Sequence, residues 1–296
     1  MVSRSGVWLG MQTYPRAQFP ALPLPPQQLQ PPAPLARPAS AQVMPTFNFP
    51  SDSVAASQLI AAGTSRYTIL GYFAVVAGIL IAAAGSMGAA LLLLPIALIA
   101  QHIQAKSIRA LIRGSGVQVS PQQLPQLYAV IENFSQRLGL KEVPEVYIVE
   151  ESMQNGFAVK LGKRDLVLLT DDVVWGALQS KDPHALGFVV GRELAHVALG
   201  HTGTIRSMLR TAFKPLSRAD EFSCDNVASA LVGNADIAVH GVTLLTVGPQ
   251  LLGYINDAAL LEQAQQVCAD KLSKKAEKKL AHPLLLRRIG NLKQYS

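Results

Sequence analysis

The run Gly191-Arg192-Glu193-Leu194-Ala195-His196-Val197-Ala198-Leu199-Gly200-His201 sets an arginine, a glutamate and two histidines at spacings that carry chemistry on a helix. In an H-E-x-x-H helix the histidines at i and i+4 share one face and hold zinc. The glutamate beside the first takes a proton from the metal-bound water. Here Arg192 stands at the first ligand position, Glu193 at the base position and His196 at the second ligand position. A guanidinium keeps its proton near neutral pH and offers no lone pair, so Arg192 repels a divalent cation instead of binding it. The motif leaves three possibilities open: an active enzyme, an altered one, or a relative that has lost turnover.

Twenty-five residues beyond His196 lies Glu221, in Ser217-Arg218-Ala219-Asp220-Glu221-Phe222-Ser223-Cys224-Asp225. A carboxylate from a second helix is what a two-histidine site needs to reach three protein ligands and leave the fourth position for water. Asp225 follows one turn later on the same face, where it can hold the orientation of a ligand. His201 lies five residues after His196, about 140 degrees around an ideal helix, so it joins a metal site only if the helix ends before it. A rearranged set of His196, His201 and Glu221 is therefore a minor alternative. His201 and His184 otherwise read as exposed helix-end histidines, and His102 and His240 as unrelated to the chemistry. Two cysteines, Cys224 and Cys268, make neither a disulfide framework nor a C-x-x-C metal site, and Cys224 reads as a small buried residue.

The elements that position these groups follow from periodicity and punctuation. Residues 121–138 carry Leu124, Leu127, Val130, Ile131 and Phe134 at helical spacing. Short strands are predicted over 145–149, 156–160 and 165–169, the last two joined by a hairpin turn at Leu161-Gly162-Lys163-Arg164. Asp171 or Asp172 starts a helix through Ser180, and Asp182 caps the helix that carries the motif to Gly200. Further helices are predicted over 217–232, 236–253, 256–279 and 283–294. The fold expected is α+β, mainly helical, with a small antiparallel sheet.

Ahead of this domain, no Asp, Glu, Lys or Arg interrupts the chain between Arg66 and Lys106, and the stretch 67–100 is almost wholly apolar. One bilayer crossing takes roughly 20 residues, so this length suits two short helices better than one. The Gly85-Ser86-Met87-Gly88 break divides it into a transmembrane hairpin over 67–103. Arg66 on one side and Lys106, Arg109 and Arg113 on the other put both ends, and the domain over 114–296, in the cytoplasm. Residues 1–60 form a Pro-rich head, with eleven of the nineteen prolines before residue 51, and composition predicts a disordered tether that can also serve as a ligand for a partner domain. The formal net charge of +7 is spread along the chain, and the Lys271–Lys279 run reads as a solvated helix face, so no nucleic-acid partner is expected.

Four segments, in order, resemble the HtpX-like membrane zinc metallopeptidases, relatives of the type 1 CAAX prenyl protease within the gluzincin group. Asn155-Gly156-Phe157-Ala158 resembles the family's N-A-F-A edge strand, and Gly191 to His201 its A-H-E-x-x-H-x-x-x-G-H helix. Ser217 to Asp225 resembles its S-R-x-x-E-x-x-C/A-D helix. Ala281-His282-Pro283 with Arg287 and Arg288 resembles its terminal H-P-x-x-x-R-I segment. The resemblance spans roughly 117–294 and implies a zincin-like fold, one zinc ion, and hydrolysis of a protein or peptide substrate at a bilayer. It implies metal ligation by His196 and Glu221, general base catalysis by Glu193, and orientation by Asp225. Substrate would add as a strand along Asn155, Gly156, Phe157 and Ala158, and His282 with Arg287 or Arg288 would stabilise the oxyanion. By position Asp225 faces residue 192, so an ion pair from Arg192 to Asp225, and to Glu221, is expected where the first zinc ligand would stand. Two readings compete: a membrane-anchored zinc endopeptidase, and an inactive relative that keeps the groove as a binding module.

Overall fold

The computed structural model describes residues 44–86, 88–150, 156–161 and 164–292. The tether expected over residues 1–43, and Asn155, lie outside them. The described chain begins as a strap and then forms α1 (Thr64–Gly85), α2 (Ala89–Ser115), β1 (Val117–Gln118) and α3 (Pro125–Arg137). Next come β2 (Glu145–Val149), β3 (Gly156–Leu161), β4 (Arg164–Thr170), α4 (Asp171–Gln179) and α5 (Ala185–Ala198). Seven helices complete it: α6 (Thr204–Ala212), α7 (Lys214–Val232), α8 (Ala235–Val247), α9 (Pro249–Leu252), α10 (Asp257–Ala269), α11 (Lys271–Glu277) and α12 (Leu285–Leu292).

The strands lie in the order β1-β2-β4-β3, antiparallel at both ends and parallel between β2 and β4, so the sheet is mixed where an antiparallel one was expected. The reason lies in β4. Leu166, Val167 and Leu169 are fully buried, a continuous apolar run that suits a central strand covered on both faces. The hairpin places β3 on one side of β4, which leaves β2 to pair along the other side in the same direction. β3 is thereby an outer strand.

Every residue of α5 from Ala185 to His196 is buried. A helix enclosed on all sides is a core helix, and only its polar residues need special partners. It packs against α7 and α8, with β3, α3 and α4 around it. Close approach is possible because glycine stands at the crossings: a Cβ on Gly191 would meet Leu231 at 3.2 Å, and one on Gly187 would strike the Phe49 ring at 2.2 Å.

That ring belongs to the strap. Composition assigned residues 44–60 to the disordered head, yet they are packed on the domain. Phe49 lies 5.1 Å from Phe134 between ring centroids, and Val54 donates its N–H to the Arg137 carbonyl at 2.8 Å. Arg137 returns a bond to the Asp52 carbonyl at 2.7 Å and binds the Leu231 carbonyl at 2.6 Å, tying the strap to α3 and α7 together. Phe47, Phe49 and Val54 supply apolar area that the surrounding prolines and polar residues mask in any composition average.

Among the described residues, α1 is the helix long and apolar enough to cross a membrane. Its first turns dock on the domain, with Thr64 buried and Gly71 against Leu209 of α6. Farther along, Phe73, Leu80 and Ile81 are exposed. α2 runs on to Ser115, beyond the 103 expected. Its Arg109 and Arg113 bind Glu145 at the start of β2 at 2.5 and 2.9 Å.

Candidate active site

The polar face of α5 meets α7 at the centre of the domain. Arg192 donates one guanidinium nitrogen to Glu193 and another to Glu221, and its Nε lies 3.7 Å from Asp225. The expected Arg192 to Asp225 ion pair is present, but as the weaker contact. Asp225 is gripped instead by Arg288 of α12 through two parallel bonds of 2.7 Å each. Arg287, expected in the cleft, pairs with Glu277. The two arginines are neighbours on a helix and point about 100 degrees apart, so only one can reach α7.

Two further guanidiniums come from α6, a helix missing from the sequence expectation. Arg210 binds Glu221 at 2.7 Å and lies 3.4 Å from Asp220; Arg206 binds Asp220 at 2.5 Å. Their spacing of four puts both on one face of α6, and the adjacent acids Asp220-Glu221 were the signal that such a face existed. The cluster thus holds four carboxylates (Glu193, Asp220, Glu221, Asp225) and four guanidiniums (Arg192, Arg206, Arg210, Arg288), so its formal charges cancel. Cancellation matters because an uncompensated charge in such a place is strongly destabilising.

Protonation follows the sharing. Burial pushes Glu221 up, but Arg192, His282, His196 and Arg210 outweigh it and hold it well below the usual carboxylate range. Glu193 is raised, because burial, with Glu221 beside it, outweighs Arg192 and the more distant Arg210. Burial raises Asp220 to about 6 despite Arg206 and Arg210. Arg192 is raised above the ordinary arginine range, since Glu221, Glu193 and Asp225 together overcome the cost of its burial.

His196 lies between two environments. Its Nε2 is 3.7 Å from Glu221, and its Nδ1 is 3.1 Å from Nδ1 of His201. His201 is buried, not exposed as expected at a helix end. The cause is local. α5 stops at Ala198, Gly200 takes a left-handed φ of 70°, and the N–H of His201 returns to the His196 carbonyl at 2.9 Å while that of Gly200 bonds Val197 at 3.0 Å. This pairing of bonds ends the helix and sets the residue after the glycine over the one five positions earlier. Cys224, buried as expected, closes the group with its sulfur 3.5 Å from His201 Nδ1. Burial lowers His196 well below its ordinary value and takes His201 to about 3, with Arg210 and Arg206 adding to the latter shift.

The remaining candidates lie around this centre. His282 is 3.7 Å from Glu221 with its side chain 71% exposed, so it stands at the rim. Gly156 of β3 lies directly over Glu193, where an added Cβ would meet the glutamate Cγ at 2.8 Å; Phe157 and Ala158 continue along that outer strand. His240, which was set apart from the chemistry, bridges Asp182 and Asp257 at 2.8 and 3.1 Å, away from the cluster.

A helix carrying Arg192-Glu193 and His196, crossed by a second helix with Glu221 beside an outer strand, is the arrangement that the resemblance to metallopeptidases implies, with arginine at the first histidine's place. Residues 121–212 match the zinc-dependent Peptidase family M48, so this part of the chain is similar to that family. The match includes Glu193, His196 and His201 and stops before Glu221. No curated protein matches the chain. The residues present do not fit a zinc ion between positions 192, 196 and 221. The Arg192 guanidinium binds Glu193 and Glu221 there, and Arg210 holds a second oxygen of Glu221.

Proposed function

We propose that this chain is a membrane-anchored pseudopeptidase, a binding module that receives an extended protein segment along β3 and does not hydrolyse it. The observation that carries the reading is the Arg192 guanidinium between Glu193 and Glu221. It supplies the positive charge that both carboxylates need and removes the site where a water would be activated. Glu193 then serves as an anchor for Arg192 instead of a proton acceptor. The outer strand over Gly156–Leu161 supplies backbone for strand addition, with Gly156 keeping the approach to Glu193 narrow.

Anchoring is by a two-helix crossing formed by α1 and α2. Its support is that both ends are tied to the same domain: Ala61 donates to Ser223 at 2.9 Å just before α1, and Arg109 and Arg113 at the end of α2 hold Glu145. Two ends fixed to one domain lie on one side of a bilayer, and the basic flanks put that side in the cytoplasm.

The test uses the full chain in detergent micelles with unfolded protein substrates and added Zn2+. We expect saturable binding without new peptide ends, and chelator-sensitive cleavage after Arg192→His. Zinc-dependent cleavage by the unaltered chain would refute the reading.

A further inference from the structure

The Nδ1 edge of His196 faces away from the carboxylate cluster, and what it faces has the composition of a metal site. We propose that His196, His201 and Cys224 bind one Zn2+ ion through the two Nδ1 atoms and the Cys224 sulfur, a site displaced to the opposite edge of the His196 ring from Glu221.

The distances carry the proposal. A tetrahedral zinc with bonds of about 2.0–2.1 Å to nitrogen and about 2.3 Å to sulfur separates two nitrogens by about 3.3 Å and a nitrogen from a sulfur by about 3.5 Å. The Nδ1 atoms of His196 and His201 are 3.1 Å apart, and Cys224 Sγ is 3.5 Å from His201 Nδ1. The three ligand atoms lie within 4.8 Å of one another, and all three residues are buried.

The surroundings of each ring agree. A metal-bound histidine commonly gives its other N–H to a carboxylate, which fixes the tautomer and turns the free lone pair to the metal. His201 Nε2 is 3.4 Å from Asp220, and His196 Nε2 is 3.7 Å from Glu221. Where both rings keep the proton on Nε2, toward the carboxylates, the two Nδ1 atoms 3.1 Å apart are both free to ligate a cation; in the other tautomer of either ring they share an N–H···N hydrogen bond that the ion would replace. The guanidiniums of Arg206 and Arg210 are paired with Asp220 and Glu221, although Arg206 also lines the approach beside His201. Cys224 binds as thiolate, its proton passing to solvent as the sulfur–zinc bond forms. A cavity of about 410 Å³, lined by Thr64, Thr68, Tyr72, Gly200, His201 and Arg206, opens beside His201 and gives an ion its approach and room for water as fourth ligand.

This site goes beyond the binding reading and fails separately from it: peptide cleavage would sink the binding reading, and the spectra below decide the metal site. Co2+ is the probe, because tetrahedral Co2+ bound to thiolate shows a sulfur-to-metal charge-transfer band. Added to the metal-free full chain in detergent, it is expected to give that band at one equivalent, and Zn2+ is expected to abolish it by displacement. Cys224→Ser should remove the band, and His201→Gln should weaken Co2+ binding by about tenfold or more. Circular dichroism of each variant shows whether it folds, and the band in the unaltered chain decides the matter even if both variants fail. Absence of the band in the unaltered chain overturns the proposal. So does a band that survives Cys224→Ser, which would point to Cys268, or metal binding lost in Glu221→Gln but kept in Cys224→Ser.

Discussion

The two edges of the His196 ring look onto surroundings of opposite character. On the Nε2 side every carboxylate is answered by a guanidinium: Glu221 by Arg192 and Arg210, Asp220 by Arg206, Asp225 by Arg288. On the Nδ1 side, His201 and Cys224 present donors with no formal charge among them. Arg192 lies at the centre of the contrast, and Arg206, Arg210 and Arg288 complete it. The Arg192 guanidinium, fixed to α5, supplies a cation on the carboxylate side, where it bonds Glu193 and Glu221 rather than His201 or Cys224. The contrast shows that a buried carboxylate cluster can reach charge balance through side chains of its own fold.

The contrast breaks most severely at Arg192. Arg192→Met leaves Glu193 and Glu221 sharing only the peripheral Arg210, and a destabilisation of about 3–5 kcal/mol is expected in chemical denaturation of the full chain. A loss under about 1 kcal/mol would mean that the carboxylates were never dependent on Arg192. Next comes the pair of neighbours on α12. Arg288→Ala strips the buried Asp225 of its two bonds and should cost about 3 kcal/mol, whereas Arg287→Ala leaves the buried Glu277 with the Leu284 N–H as a remaining partner and should cost less, about 1–2 kcal/mol. Equal effects would remove Arg288 from the cluster.

On the uncharged side the effects shrink. Cys224→Ala in metal-free protein deletes a buried sulfur without orphaning a charge, and a loss of about 1 kcal/mol is expected in the same measurement. A cost near that of Arg192→Met would show a hidden electrostatic role. The smallest effect lies outside the site, at His240. Hydrogen bonds to Asp182 raise its pKa against the cost of burial, and Asp257 adds to the rise. A raised histidine pKa makes its contribution complete below the unfolded-state value and lost as pH climbs through the folded-state one. His240→Ala should therefore cost about 0.5–1 kcal/mol in mildly acidic buffer and almost nothing in mildly alkaline buffer. A cost that grows with pH would contradict the assigned bridge.

Legibility in the sequence followed distance along the chain. Strands β2, β3 and β4 were legible to within a residue or two, because alternation and an apolar run are local patterns. The family resemblance was legible from R-E-x-x-H and the neighbouring segments, and the M48 match over 121–212 agrees with it. The parallel pairing of β2 with β4 was not, since a strand's partner depends on which strand is already enclosed. The strap over 44–60 was missed because three apolar anchors among prolines do not form a period. For His201 the signal was present in Gly200: a glycine at a helix end turns the next residue back over the last turn, so H-x-x-x-G-H brings its two histidines together.

By itself the sequence determined the helix that carries Arg192, Glu193 and His196 on one face, and the end of that helix at Gly200, because helical repeat and termination depend on neighbouring residues. Only the tertiary structure decided that Arg206 and Arg210 of α6 and Arg288 of α12 converge on the acids of α7, and that Cys224 lies beside His201. Those pairings span 11 to 63 positions of chain in the hydrogen-bonded cases, and no local spacing encodes them. They are selected when α5 and α7 pack, where each buried charge is tolerated only with a partner within reach.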